Sequence, residues 1–266
     1  MDPVNKPVKG PAVTSTNRSR YSSYAVVVLA LIFIGALSTA FGASKPEAAQ
    51  KADASIAVEE GRQLYLQGCS TCHGLNNQGA SGPSLIGVGA SAVIFQVQSG
   101  RMPLAAGAAQ AERKPVKYDR TQTEQLAAYV QSLGGGPELP TGPLDDGDLA
   151  LGGDLFRTNC SSCHNFAGAG GALTRSKYAP ALKPADAAVI YAAMQSGPES
   201  MPRFGDNQLT PDEKRAIVKY VKYITTAKDP GGAPLGRYGP VPEGLLVFLG
   251  GIGLLIVITL WIGARA

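Results

Sequence analysis

Twice in this chain, two cysteines separated by two residues are followed at once by a histidine: Cys69-Ser70-Thr71-Cys72-His73 and Cys160-Ser161-Ser162-Cys163-His164. The two motifs use all four cysteines and both histidines of the sequence. The spacing suits c-type haem attachment, in which two thiols add across the porphyrin vinyl groups and the adjacent imidazole becomes an axial iron ligand. Such a clamp abolishes cofactor loss, which lets a domain of roughly ninety residues hold together around a thin protein core. The expected cofactors are therefore two covalently bound haem c groups, on Cys69 and Cys72 with His73, and on Cys160 and Cys163 with His164.

Three other chemistries use such cysteines. A zinc ribbon pairs two Cys-x-x-Cys motifs, but these lie 91 positions apart in separate repeats and each carries a histidine. A redox dithiol belongs in a strand-rich βαβ pattern, which flanks neither motif. Structural disulfides suit an exported compartment yet leave the histidines unexplained.

The surrounding sequence repeats with an offset of about ninety residues. Glu59 to Gln67 and Leu149 to Thr158 have apolar residues at helical spacing and lead straight into the cysteines. Downstream, Gly82-Pro83-Ser84-Leu85 answers Ala179-Pro180-Ala181-Leu182, and Gln98-Ser99-Gly100-Arg101-Met102-Pro103 answers Gln195-Ser196-Gly197 followed by Met201-Pro202. Each copy closes with an amphipathic helix, Thr121 to Leu133 and Thr210 to Thr226. Gly134-Gly135-Gly136-Pro137 and the acidic stretch to Asp148 have linker composition.

A sixth iron ligand must come from outside the motifs. Met102 is the one methionine between them, and its Gly-Arg-Met-Pro setting suits a loop folded over an exposed haem face. For the second haem the choice is Met194 or Met201. Aligning the two Ser-Gly pairs puts Met194 opposite Val97 on a helix, where methionine is usually core filler, so Met201, followed by Pro as Met102 is, takes the role. Thioether ligation opposite histidine raises a haem potential, as a carrier on the high-potential side of a chain requires. Tyr65 and Phe156 fit haem-edge packing or ordinary core equally well, and Pro83 and Pro180 fit the loop supporting each histidine.

Tyr24 to Ala43 and Gly244 to Gly263 are uncharged runs of 20 residues, long enough to cross a bilayer as helices. The basic residues Lys6, Lys9, Arg18 and Arg20 before the first run and Arg265 after the second place both termini in the cytoplasm and everything between outside. A cleaved secretory signal is the other reading of the first run, and it exports the same residues. From Ala43 to Glu243 the 19 basic and 19 acidic side chains cancel, so there is no basic surface for nucleic acid.

The expected fold is mainly α: two tandem cytochrome c-like haem domains flanked by an N-terminal and a C-terminal transmembrane helix. The boundaries are a basic tail over 1–23, a span or signal anchor over 24–43, domain 1 over 55–136, a linker over 137–148, domain 2 over 149–228, a linker over 229–243 and a span over 244–263. That makes a multi-pass cell-membrane protein with extracytoplasmic haem domains.

From about Val58 onward the chain resembles the dihaem cytochrome c subunit of the actinobacterial cytochrome bcc complex, a menaquinol to cytochrome c oxidoreductase. The resemblance rests on GPSLIGVG over 82–89, FQVQSGRMP over 95–103, GGDLFRTNCSSCHNFAGAGGAL over 152–173, KYAP over 177–180, MPRF over 201–204 and WIGAR over 261–265. It implies an electron-transfer subunit that takes electrons from a Rieske iron-sulfur protein and hands them to a terminal cytochrome c oxidase held in a supercomplex, alongside a cytochrome b subunit. It also implies Cys69, Cys72, His73 and Met102 at one haem and Cys160, Cys163, His164 and Met201 at the other. A membrane-anchored dihaem shuttle, or the dihaem subunit of another oxidase, is the alternative. A dihaem peroxidase would need an open iron position and a distal acid or base. No independent active site is expected, and quinol oxidation belongs to the assembled complex.

Overall fold

A computed structural model describes residues 20–40, 47–228, 231–232, 235–237 and 239–265. The chain divides into two units, residues 1–52 and 53–266. In the first, α1 (Arg20–Ala40) carries exposed apolar side chains from Tyr24 to Ile34. The basic tail over 1–19 and the last residues of the expected first span, 41–43, lie outside the described residues.

The second unit holds both repeats. The first contains α2 (Glu47–Gly68, which begins in the preceding unit), α3 (Ser70–His73), α4 (Ala90–Gln98) and α5 (Arg120–Ser132). The second contains α6 (Leu149–Asn159), α7 (Ser161–His164), an antiparallel pair β1 (Gly171–Ala172) and β2 (Tyr178–Ala179), α8 (Ala187–Ser196) and α9 (Pro211–Thr226). Helix dominates, as the periodicity predicts. The small hairpin is an addition that the mainly α expectation did not include.

Side-chain caps set where the closing helices begin. Asp119 accepts the Gln122 N–H while the Gln122 side chain returns to the Asp119 N–H, and Thr210 and Glu213 repeat that capping box with Pro211 in the first turn. In each repeat the helix before the cysteines crosses the closing helix through a glycine. A Cβ on Gly61 would stand 2.0 Å from the Gln125 carbonyl oxygen, and one on Gly152 2.0 Å from that of Ala216. Backbones this close leave room for hydrogen only.

Against these crossings pack two aromatic pairs, Tyr65 with Tyr129 at 5.3 Å between ring centroids and Phe156 with Tyr220 at 5.5 Å. The repeats meet through α4 and α8, which lie side by side. Ser91 Oγ donates to Gln195 Oε1 across that contact at 2.6 Å. Helix α8 is buried continuously from Ala188 to Met194 because α4 and α9 both cover it. That double cover explains an apolar sequence with little polar face.

Beyond the second repeat, α10 (Pro240–Leu246), a wide turn over Val247–Gly251 and α11 (Ile252–Gly263) follow one another without a break. Together Pro240–Gly263 make 24 residues of mean hydropathy 2.7 in the most apolar window, fully exposed, the one run among the described residues long and apolar enough to cross a membrane. The helix starts four residues before the expected span, within a stretch whose prolines read as linker. Pro240 occupies the first turn, where a missing N–H costs nothing, and Glu243 complements the helix N-terminus.

Candidate functional site

Each cysteine motif folds locally in the same way. The helix before it ends at the first cysteine, and a single turn, α3 or α7, carries the second cysteine and the histidine. In both, the histidine N–H donates to the carbonyl oxygen of the first cysteine, at 3.0 Å for His73 and 2.9 Å for His164. The chain then turns back so that Gly79 N–H reaches the His73 carbonyl at 2.8 Å and Gly170 N–H that of His164 at 2.9 Å. Both glycines have positive φ, 89° and 83°.

That returning loop brings up the prolines singled out in the sequence. Nδ1 of His73 lies 2.7 Å from the Pro83 carbonyl oxygen and Nδ1 of His164 3.0 Å from that of Pro180. A carbonyl can only accept, so each ring is protonated at Nδ1, which leaves Nε2 as the ligating nitrogen. Burial holds His164 below the ordinary histidine range, in the neutral form that binds metal.

The two cysteines of each motif form no disulfide with one another, although they are close enough in sequence to pair. Within each motif the first cysteine faces inward and the second is exposed. Burial pushes the Cys69 thiol up and that of Cys160 up to about 12, so both are neutral thiols before any attachment.

In the second repeat these parts surround a cavity of about 280 Å³ lined by Cys160, Cys163, His164, Phe156, Pro180 and Met201. Free thiols, a histidine with a fixed tautomer and an apolar wall fit a covalently held haem. Met194 lies on the same wall but is almost wholly buried on α8, whereas Met201 is half-buried in the following loop. Phe156 is fully buried and lines the cavity. In the first repeat Met102 packs half-buried against the core, its N–H held by the Gln96 carbonyl at 2.9 Å. Tyr65 is buried there, its hydroxyl donating to the Gly74 carbonyl.

Phe95 and Arg101, which the sequence marks only as part of the first repeat, and Gln110 and Arg113, which it does not mark at all, line the second repeat's cavity. Phe95 and Arg101 reach it from α4 and the turn after it, and the stretch after Met102 carries Gln110 and Arg113 across. Gln110 and Tyr178 exchange two hydrogen bonds, of 2.7 and 3.0 Å, Ala111 N–H donates to Glu199 at 2.7 Å, and Arg113 donates to the Pro184 carbonyl at 2.6 Å. A signal existed: the offset between copies is 91 at the histidines, grows to 99 between Met102 and Met201, and returns to 91 at Gln125 and Ala216. The first repeat is therefore longer by eight residues after its methionine.

Two family models match the chain, "Cytochrome c" over residues 58–134 and "Cytochrome C oxidase, cbb3-type, subunit III" over residues 147–221. Cytochrome c domains indicate covalently bound haem c, and one match falls on each repeat. Three relatives span nearly the whole chain and are each named cytochrome bc1 complex cytochrome c subunit. That of Mycobacterium tuberculosis (strain ATCC 25618 / H37Rv) is 45% identical over 94% of this chain and 92% of its own length. That of Corynebacterium efficiens is 47% identical, covering 87% and 85%, and that of Corynebacterium diphtheriae 42% identical, covering 96% and 98%.

Proposed function

The chain belongs to the cytochrome bc1 complex cytochrome c subunit family, and from that premise we propose that it holds two haems, one per repeat, and relays electrons between a Rieske iron-sulfur subunit and a terminal cytochrome c oxidase. Cys69 and Cys72 would attach one haem and Cys160 and Cys163 the other, with His73 and Met102, and His164 and Met201, as the residues that would bind the two irons. Haem c supplies a one-electron couple. The protein's own contribution is to fix the two imidazoles through the proline carbonyls, to wall the second site with apolar side chains, and to supply Met102 and Met201 as thioethers that would bind the irons.

The observation that carries this reading is the matched geometry at the two histidines. Each is held through Nδ1 by a proline carbonyl with Nε2 left for a metal.

The proposed organisation has haem domains over 55–136 and 149–228, joined by 137–148. The C-terminal helix anchors the chain, the apolar run over 24–43 is either a second anchor or a cleaved signal, and the haem domains lie outside the cytoplasm. Cytochrome b and Rieske subunits and the oxidase are the partners.

Extraction of the tagged chain in mild detergent, followed by a pyridine haemochrome assay and mass spectrometry of co-purifying proteins, tests the reading. Two covalent haems per chain together with a cytochrome b, a Rieske protein and oxidase subunits support it. Two haems on a chain that purifies alone support an anchored carrier instead. Recovery with oxidase subunits and no cytochrome b favours the oxidase-subunit alternative, which the cbb3-type family match over 147–221 keeps in play.

A further inference from the structure

The second cavity receives two guanidinium groups from the first repeat. Arg101 is 7% exposed and stacks over Phe95, its guanidinium carbon 4.7 Å from the ring centroid, and Arg113 joins it on the cavity wall. Among the described residues neither has a carboxylate within ion-pair distance. Glu199 is the acidic group that faces Arg101, but its carboxylate accepts the Ala111 N–H. A buried cation with no carboxylate in direct contact is costly to hold. A buried guanidinium with a second, exposed one beside it on the wall of an apolar cavity points to an occupant that brings anionic groups.

We propose that Arg101 and Arg113 bind the propionates of the haem held by the second repeat, so that the first repeat completes the second repeat's site. The inference rests on the haem reading above. It gives the extra eight residues after Met102 a purpose, since they carry Arg113 across to the other domain. It also makes Arg101 a link between sites, because its neighbour in sequence is the proposed ligand Met102.

Positive charge beside a haem favours the reduced state, so losing it lowers the potential of that haem alone. The test is a spectroelectrochemical titration of the full chain in detergent, comparing wild type with Arg101→Gln, Arg101→Lys and Arg113→Gln. Met102→His and Met201→His variants assign each wave by displacing it. In Arg101→Gln the reduced-to-oxidised ratio of the second-repeat haem at fixed potential is expected to fall about tenfold, a shift of roughly 59 mV for a one-electron couple. Arg113→Gln shifts it less in the same direction, and Arg101→Lys restores most of the loss. The propionate bending band in the resonance Raman spectrum should move in the glutamine variants.

An unchanged second wave with an unchanged Raman band overturns the proposal, as does a shift confined to the first-repeat haem. Should Arg101→Gln fail to fold, the exposed Arg113→Gln carries the same test. Fewer than two covalent haems in the wild type would count against the haem reading itself.

Discussion

The two repeats share a frame and differ in who builds their walls. At an offset of 91, Gly61 and Gly152 make the same helix crossing, and Tyr129 and Tyr220 stack on the residue four before the first cysteine. The first repeat ties its two packed tyrosines into local hydrogen bonds: Tyr65 donates to the Gly74 carbonyl, and Asn77 Nδ2 donates to the Tyr129 hydroxyl at 2.8 Å. The second has Phe156 in place of Tyr65 and Asn165 in place of Gly74, and takes part of its cavity from its neighbour. Asn165 keeps the positive φ of Gly74, 66° against 83°, a conformation that suits glycine better. The frame is thus set by helix contacts that tolerate no change, while loop length and side-chain polarity are where the copies diverge.

The largest expected effect separates the two sites outright. Replacing Cys160 and Cys163 together by alanine should halve the pyridine haemochrome signal per chain, and the Cys69 and Cys72 pair should do the same. Only one of the two reduced-haem spectra should vanish in each case. Within the second repeat, Met201→Ala should abolish one methionine-to-iron charge-transfer band and Met194→Leu should leave both. The reverse pattern would move the ligand onto α8.

Next in size is the shared crossing. Gly61→Ala and Gly152→Ala each force a methyl into a backbone carbonyl, and each should destabilise by about 3 kcal/mol, the upper end of overpacking costs. Thermal unfolding in detergent reads this directly. A large loss at one glycine and none at the other would show that the frames are not equivalent.

Much of this was legible in the residues. The motifs marked both sites, the closing helices were placed to within a residue by periodicity and by Thr210-Pro211-Asp212-Glu213, and the prolines stood where the histidine supports proved to be. Local rules sufficed because a cap or a Cys-x-x-Cys-His turn spans only a few residues. The hairpin of the second repeat was not legible, since two-residue strands leave no alternation to detect. Nor was the crossing of Arg101 and Arg113 into the other domain. Which neighbour a loop covers depends on the packing of α4 on α8, and no pattern inside either helix states that contact.

A smaller effect sharpens the polar difference. Asn77 is almost wholly buried, its Oδ1 has no partner, and its Nδ2 depends on the Tyr129 hydroxyl. Tyr129→Phe strands that amide and should cost about 2 kcal/mol, the penalty of a buried polar group left unsatisfied. The corresponding change Tyr220→Phe removes no polar partner of that kind and should be close to neutral. Equal losses would mean that ring packing, common to both tyrosines, dominates.

The smallest expected effect probes the closing helices, where the two repeats solve one problem with different residues. Asp119→Ala and Thr210→Ala each remove a capping side chain and should each cost about 1 kcal/mol. The Thr210 cap should also respond to acid. Hydrogen bonds from Thr210 hold the Glu213 carboxyl below the ordinary carboxylate range. Its contribution is therefore present above the unfolded-state pKa and lost as pH falls through the lower folded-state value. The cost of Thr210→Ala should shrink over that interval, because the wild type has already lost the partner that makes its capping box reciprocal. Unfolding midpoints of wild type and Thr210→Ala measured from neutral to acid pH check this, and a constant gap between the two curves would show that the threonine hydroxyl alone carries the cap.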